Sequence, residues 1–108
     1  MNFQEIAQRF ARSSSGTDAF KAFYKDTFEL MKTDSANAAL YFVVGVIAQS
    51  FVRRYEDQGI TADFADSAMA ILVGYNDKIS QALGAEPTER VRLLSDVALD
   101  YEWNVHDF

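Results

Sequence analysis

The 108-residue sequence predicts an all-α protein, a single-domain bundle of about five helices with the third buried at its centre. Three observations carry that expectation. Apolar residues recur at i, i+3, i+4 and i+7 through five successive stretches. Short clusters of Ser, Thr, Asp, Asn and Gly, the residues that cap helices, separate those stretches. With 49% apolar and 14% aromatic residues, the chain can fill one core without disulfides or metals.

The first helix is expected over 3–12, where Phe3, Ile6, Ala7 and Phe10 share a face. Asn2 and Glu5 have the spacing of a capping box. Ser13, Ser14, Ser15 and Gly16 then interrupt it, Gly16 being suited to a left-handed C-cap. A second helix follows over 17–33, with Phe20, Phe23, Tyr24, Thr27, Phe28 and Met31 on one stripe and Lys21, Lys25, Glu29 and Lys32 on the other side. Thr33, Asp34 and Ser35 mark the next boundary.

The third segment is the ambiguous one. Residues 40–47 are β-branched enough for a buried strand, yet the pattern runs from Ala36 to Gln58 without a turn signal, a length that suits a helix. Being apolar all round, it is expected at the centre, with Phe42 in the core alongside Phe28. Gly59 is then expected at a Schellman ending, with Ile60 against Tyr55. A fourth helix over 62–83, capped by Thr61 or Asp63, turns Phe64, Ala68, Ile71, Leu72, Tyr75, Ile79 and Leu83 inward; a split at Asn76 and Asp77 is the alternative. Gly84 closes it and Pro87 opens the fifth, expected over 87–102 with Val91, Leu94, Val97, Ala98 and Tyr101 inward. Residues 1–102 would thus form the bundle and 103–108 a tail. Gly45 and Gly74 fall in helix middles, where each costs about 1 kcal/mol relative to Ala, so a close helix crossing is expected there.

Charge is unevenly placed. Residues 1–58 carry seven basic and seven acidic side chains, whereas 59–108 carry three and nine, so the whole net charge of -6 lies in the second half. Phosphate recognition needs clustered Lys and Arg, so nucleic acid is not an expected partner. The longest uninterrupted apolar run, Ala38 to Ala48, falls short of the roughly 20 residues of a membrane span, and the first residues lack a basic, apolar leader. No membrane association and a cytoplasmic location are therefore expected.

Catalytic and cofactor chemistry finds few candidates. The chain has no Cys and one His, His106, three residues from the end and without a positioned partner. Asp100, Glu102 and His106 match no metal-binding loop. The carboxylate pairs Asp63 with Asp66 and Asp96 with Asp100 are expected on outer faces, where their acidity is not tuned. Arg53 is expected to pair with Glu56 and Asp57 on its own helix. The expectation is no catalytic residues, no metal and no cofactor.

What remains is a surface. Glu89, Asp96 and Asp100 fall within about 40° of one another on the fifth helix, an acidic ridge at its outer side. Glu102, Trp103 and Asp107 continue it, Trp being a frequent interface anchor. Trp103 either folds back to close the bundle or anchors a partner. These six residues form the expected binding site for a basic protein. Small size, acidity and a single helical domain resemble, in type only, bacterial toxin-neutralising immunity proteins and acidic phage-encoded inhibitors. A helical ligand-binding or sensory domain with an apolar pocket and a homodimeric structural subunit are the alternatives.

Overall fold

In a computed structural model that describes residues 1–105 and 108, the chain forms five α-helices and no strand among the described residues. The first, α1 (Phe3–Arg12), begins with the expected capping box: the Asn2 side chain accepts from the Glu5 N–H at 2.9 Å, and the Glu5 carboxylate accepts from the Asn2 N–H at 3.0 Å. Ser13 ends it by donating its hydroxyl to the Arg9 carbonyl at 2.7 Å. Gly16 does not serve as that helix's cap. It precedes α2 (Thr17–Thr33) with a φ of 137°, a conformation open to glycine and costly to other residues.

A 3-10 turn, Ser35–Asn37, leads into α3 (Ala38–Tyr55), which is helical through its β-branched stretch. The Asp34 carboxylate holds this corner, accepting from the Tyr41 hydroxyl at 2.5 Å and the Asn37 amide at 3.0 Å. α3 supplies Leu40, Tyr41, Val44, Ile47, Ala48, Phe51 and Val52 to the core. Gly45 explains itself by a close crossing: a Cβ there would lie 2.8 Å from Cδ1 of Phe28 on α2. Two expectations fail at this helix. Phe42 is 52% exposed and Phe28 only half-buried, because α2 and α4 cover two sides of α3 and leave a third open. Gly59 has no positive φ, so the helix stops at Tyr55 without a Schellman cap, the Gln58 N–H bonding back to the Tyr55 carbonyl.

By length and composition, Ser35–Tyr55 is apolar enough to cross a membrane, with a mean hydropathy of 1.5. Counting uninterrupted runs missed this, since the interruptions Asn37, Gln49 and Ser50 are polar but uncharged. In this fold the segment lies against α2.

α4 (Ala62–Leu83) is continuous, capped by the Thr61 hydroxyl, which accepts from the Phe64 N–H at 3.1 Å. Asn76, the expected point of a split, is instead buried within it. α5 (Pro87–Asn104) starts at Pro87 as expected but continues past Glu102. Its inward face is rolled relative to the expected one: Leu93 and Val97 are buried, while Val91 is 63% exposed and Ala98 exposed. Arg90 fixes part of that roll. It reaches across to the end of α4, donating to the carbonyls of Ala82 at 3.0 Å and of Leu83 and Ala85 at 3.4 Å, and to Asn37 at 3.0 Å. One cation thereby caps α4 and ties it to the corner before α3.

The architecture is two antiparallel hairpins, α2–α3 and α4–α5, joined by α1, which touches both α2 and α4. Between them stands an aromatic core: Phe20 stacks on Phe51 at 4.1 Å, with Phe10 edge-on to Phe20 at 5.0 Å. The chain end closes it. Phe108 is 6% exposed, 5.2 Å from Phe51 and 5.7 Å from Phe20. The Cα radius of gyration, 13.2 Å, matches the value of about 13 Å for a single domain of this length.

Candidate interaction site

Because α5 is rolled toward Asp96 and Asp100, these carboxylates lie at its border with α4. They do not stand on an outer ridge. There they flank an open groove of about 720 Å³ between the two helices. Its α4 wall is Ile71, Tyr75 and Lys78, its α5 wall Leu99 and Trp103, and Gly74 leaves the α4 backbone bare between them. Nothing lies within 4 Å of where a Gly74 Cβ would stand, so the close crossing expected at this glycine is absent.

The polar groups of the groove are tied to one another. Asp100 accepts from the Tyr75 hydroxyl at 2.6 Å and from the Asn104 amide at 2.9 Å. These bonds, the tyrosine's first, hold its carboxyl below the usual carboxylate range, so it stays ionised. Burial, reinforced by that carboxylate, pushes the Tyr75 hydroxyl above its usual range. Lys78 lies 3.7 Å from Asp96, and Arg92 bridges Asp96 at 2.9 Å and Glu89 in a two-pronged contact. Glu89 is held low by Arg92. Two of the three expected ridge carboxylates are thus partly neutralised by one arginine.

Trp103 belongs to the last turn of α5 and does not fold back. It is 70% exposed, and Leu99, one turn earlier, is 58% exposed. The lid expected of this segment is provided by Phe108 instead. Glu102, also exposed, projects about 100° round the helix from Trp103, away from the groove. Asp107, with His106, lies outside the described residues. The structure therefore gathers Asp96, Asp100 and Trp103 in one groove, sets Glu89 beside it, and leaves Glu102 apart.

Sequence reading missed Tyr75 and Lys78 as members of this site. Tyr75 is expected only as an inward residue of α4 and Lys78 only as one of the three basic residues of 59–108, and the bond from Tyr75 to Asp100 joins positions 25 apart in the chain. Gly74 did give a signal, as a helix-interior glycine in need of a reason. Elsewhere, the Arg53 pairing expected with Glu56 gives way to a bridge from Lys21 to Glu56 at 2.9 Å, and Arg54 reaches the Phe108 carbonyl at 3.5 Å. Among the described residues no cluster of three or more His, Asp or Glu side chains is arranged to hold a metal ion.

No protein-family model matches this chain, and no curated protein or solved structure matches it either.

Proposed function

We propose that this chain is a small acidic interaction protein that binds and blocks a basic protein partner, in the manner of an immunity protein or inhibitor, through the α4–α5 groove. The observation that carries the reading is Trp103, a large aromatic 70% exposed on a rigid helix beside an open groove. Tryptophan exposed in a free protein and set against a pocket is the kind of group that supplies most of an interface's binding energy. Two further features support it. Asp100 is ionised and oriented by two hydrogen bonds, and each of its oxygens retains a lone pair for an incoming cation. Gly74 sits in the groove wall with nothing within 4 Å of where its Cβ would stand, which leaves the α4 backbone open to a bound side chain.

An apolar ligand pocket draws less support, because the Phe-rich interior is occupied by its own stacked rings. The test is affinity purification from the native host at low salt with the wild-type chain and Trp103→Ala. The expected outcome is a basic protein retained by the wild type and released by raised salt, with affinity reduced by on the order of 2 kcal/mol in the variant. Recovery of the same partner with equal affinity by both chains would refute this site.

A further inference from the structure

Asp100 and Trp103 are three residues apart on α5, the spacing at which helical side chains are neighbours, and both line the α4–α5 groove. They offer different chemistry. The exposed indole presents an uncovered aromatic face, which attracts cations. The Asp100 carboxylate is held at both oxygens, by the Tyr75 hydroxyl at 2.6 Å and the Asn104 amide at 2.9 Å, so it cannot turn freely and keeps a lone pair on each side for a further donor. The neighbouring carboxylate is already matched. Asp96 meets Arg92 at 2.9 Å and Lys78 at 3.7 Å, whereas among the described residues no Lys or Arg forms an ion pair with Asp100.

An oriented, unmatched carboxylate beside an uncovered indole selects its guest. A guanidinium is planar, stacks on an aromatic face and donates two parallel N–H bonds to the two oxygens of one carboxylate. A lysine ammonium is a compact, strongly hydrated point charge without that fork. The groove also runs on past Ile71 into an apolar hollow of about 330 Å³ lined by Phe64, Val105 and Phe108, so the guest extends beyond its cation. On the reading of this groove as an interface, we infer that it is a socket for one arginine of the basic partner, stacked on Trp103 and forked onto Asp100, with an apolar side chain of the same segment in the hollow. Gly74 leaves the opposite wall open to the arginine stem. Tyr75 and Asn104 are positioning residues, acting through the carboxylate they orient.

Trp103 is the chain's single tryptophan, so its emission reports on this site directly. The probes are the acetylated tripeptide amides Leu-Arg-Leu, Leu-Lys-Leu and Leu-citrulline-Leu, titrated into the full chain at low salt. The arginine peptide should shift the emission to the blue and saturate. The lysine peptide should bind about tenfold more weakly, and the citrulline peptide, of arginine's shape without its charge, more weakly still. Asp100→Asn should bring the arginine peptide down to the level of the lysine peptide, whereas Asp63→Asn, an equal loss of charge outside the groove, should change its affinity by less than about twofold. Tyr75→Phe keeps every charge and should lower the preference for arginine over lysine. Equal affinity for the arginine and lysine peptides, an arginine peptide that binds Asp100→Asn as well as the wild type, or no emission shift with any peptide overturns the inference. So does free arginine bound as tightly as the tripeptide, because the amino acid would then be the occupant. In each of these cases a weaker hold of Trp103→Ala on the purified partner keeps the interface and removes only the arginine.

Discussion

Two glycines in helix middles should respond in opposite ways to the same substitution. Replacing glycine by alanine in a helix interior gains about 1 kcal/mol from backbone entropy alone. At Gly74 nothing stands within 4 Å of the added methyl, so the full gain should appear, raising the melting temperature by about 4 °C for a domain of this size. At Gly45 the methyl would lie 2.8 Å from Cδ1 of Phe28 and closer still to Cε1, so the ring must shift. Overpacking of this kind costs about 1–3 kcal/mol, which cancels or reverses the gain. Gly45→Ala is therefore expected to be neutral to about 2 kcal/mol destabilising. In a Phe28→Ala background, with the obstructing ring gone, it should become stabilising by about 1 kcal/mol. Urea and thermal denaturation followed by circular dichroism measure all five chains, the wild type and the Phe28→Ala background included. Equal stabilisation at both glycines, or no change of sign in the Phe28→Ala background, would refute the assigned crossing. Gly74→Ala should also bind the partner more weakly despite its greater stability, because its methyl narrows the groove.

Three other outcomes follow from the same contacts. Tyr41 and Tyr75 both have hydroxyls pushed up, chiefly by burial and then by Asp34 and Asp100, so the native state keeps protons that the unfolded chain loses. Stability should be full below about pH 10 and fall as pH rises above it, and Tyr41→Phe with Tyr75→Phe should flatten that alkaline decline in a pH series of melting temperatures. Asn76 is 2% exposed and neither its amide nitrogen nor its oxygen has a hydrogen-bond partner, so Asn76→Leu should raise stability by about 1 kcal/mol or more; a loss would show that the amide is satisfied in solution. Phe108→Ala should cost about 3 kcal/mol in chemical denaturation, whereas Trp103→Ala should cost little, and the reverse order would mean that the two aromatics had been assigned each other's roles.

The helices were largely legible in the sequence because their ends are local events. The capping box of α1 and Thr61 before α4 each join residues three apart, and Pro87 opens α5 by its own backbone geometry, so all three signals are local. Direction was less legible. α5 carries Val91, Leu93, Leu94, Val97, Ala98, Leu99 and Tyr101, so apolar groups occupy several sides and periodicity alone selects no single one. Its roll is decided by contacts with other elements: Arg90 on the end of α4 and Asp100 on Tyr75. Phe42 fails for the related reason that an all-apolar helix does not say which side its neighbours leave open. The candidate site inherits both difficulties, since the groove exists only once α5 has turned Asp96, Asp100 and Trp103 toward α4.

The acidic surplus and the groove have different tasks on this surface. Asp63, Asp66 and Asp77 do not line the groove, and Glu102 projects away from it, so much of the acidic excess never touches what binds beside Trp103. Arg92 already offsets Glu89 and Asp96. A dispersed excess of this kind acts through its summed field, which reaches about 8–10 Å at physiological salt and raises the rate of encounter with a basic surface. Residence depends on desolvated contacts, here Trp103, Leu99 and the oriented Asp100. The two contributions should therefore separate kinetically. Reversing Asp63 and Asp77 to Lys should slow association at low salt and leave dissociation unchanged, whereas Trp103→Ala should speed dissociation and leave the salt dependence of association intact.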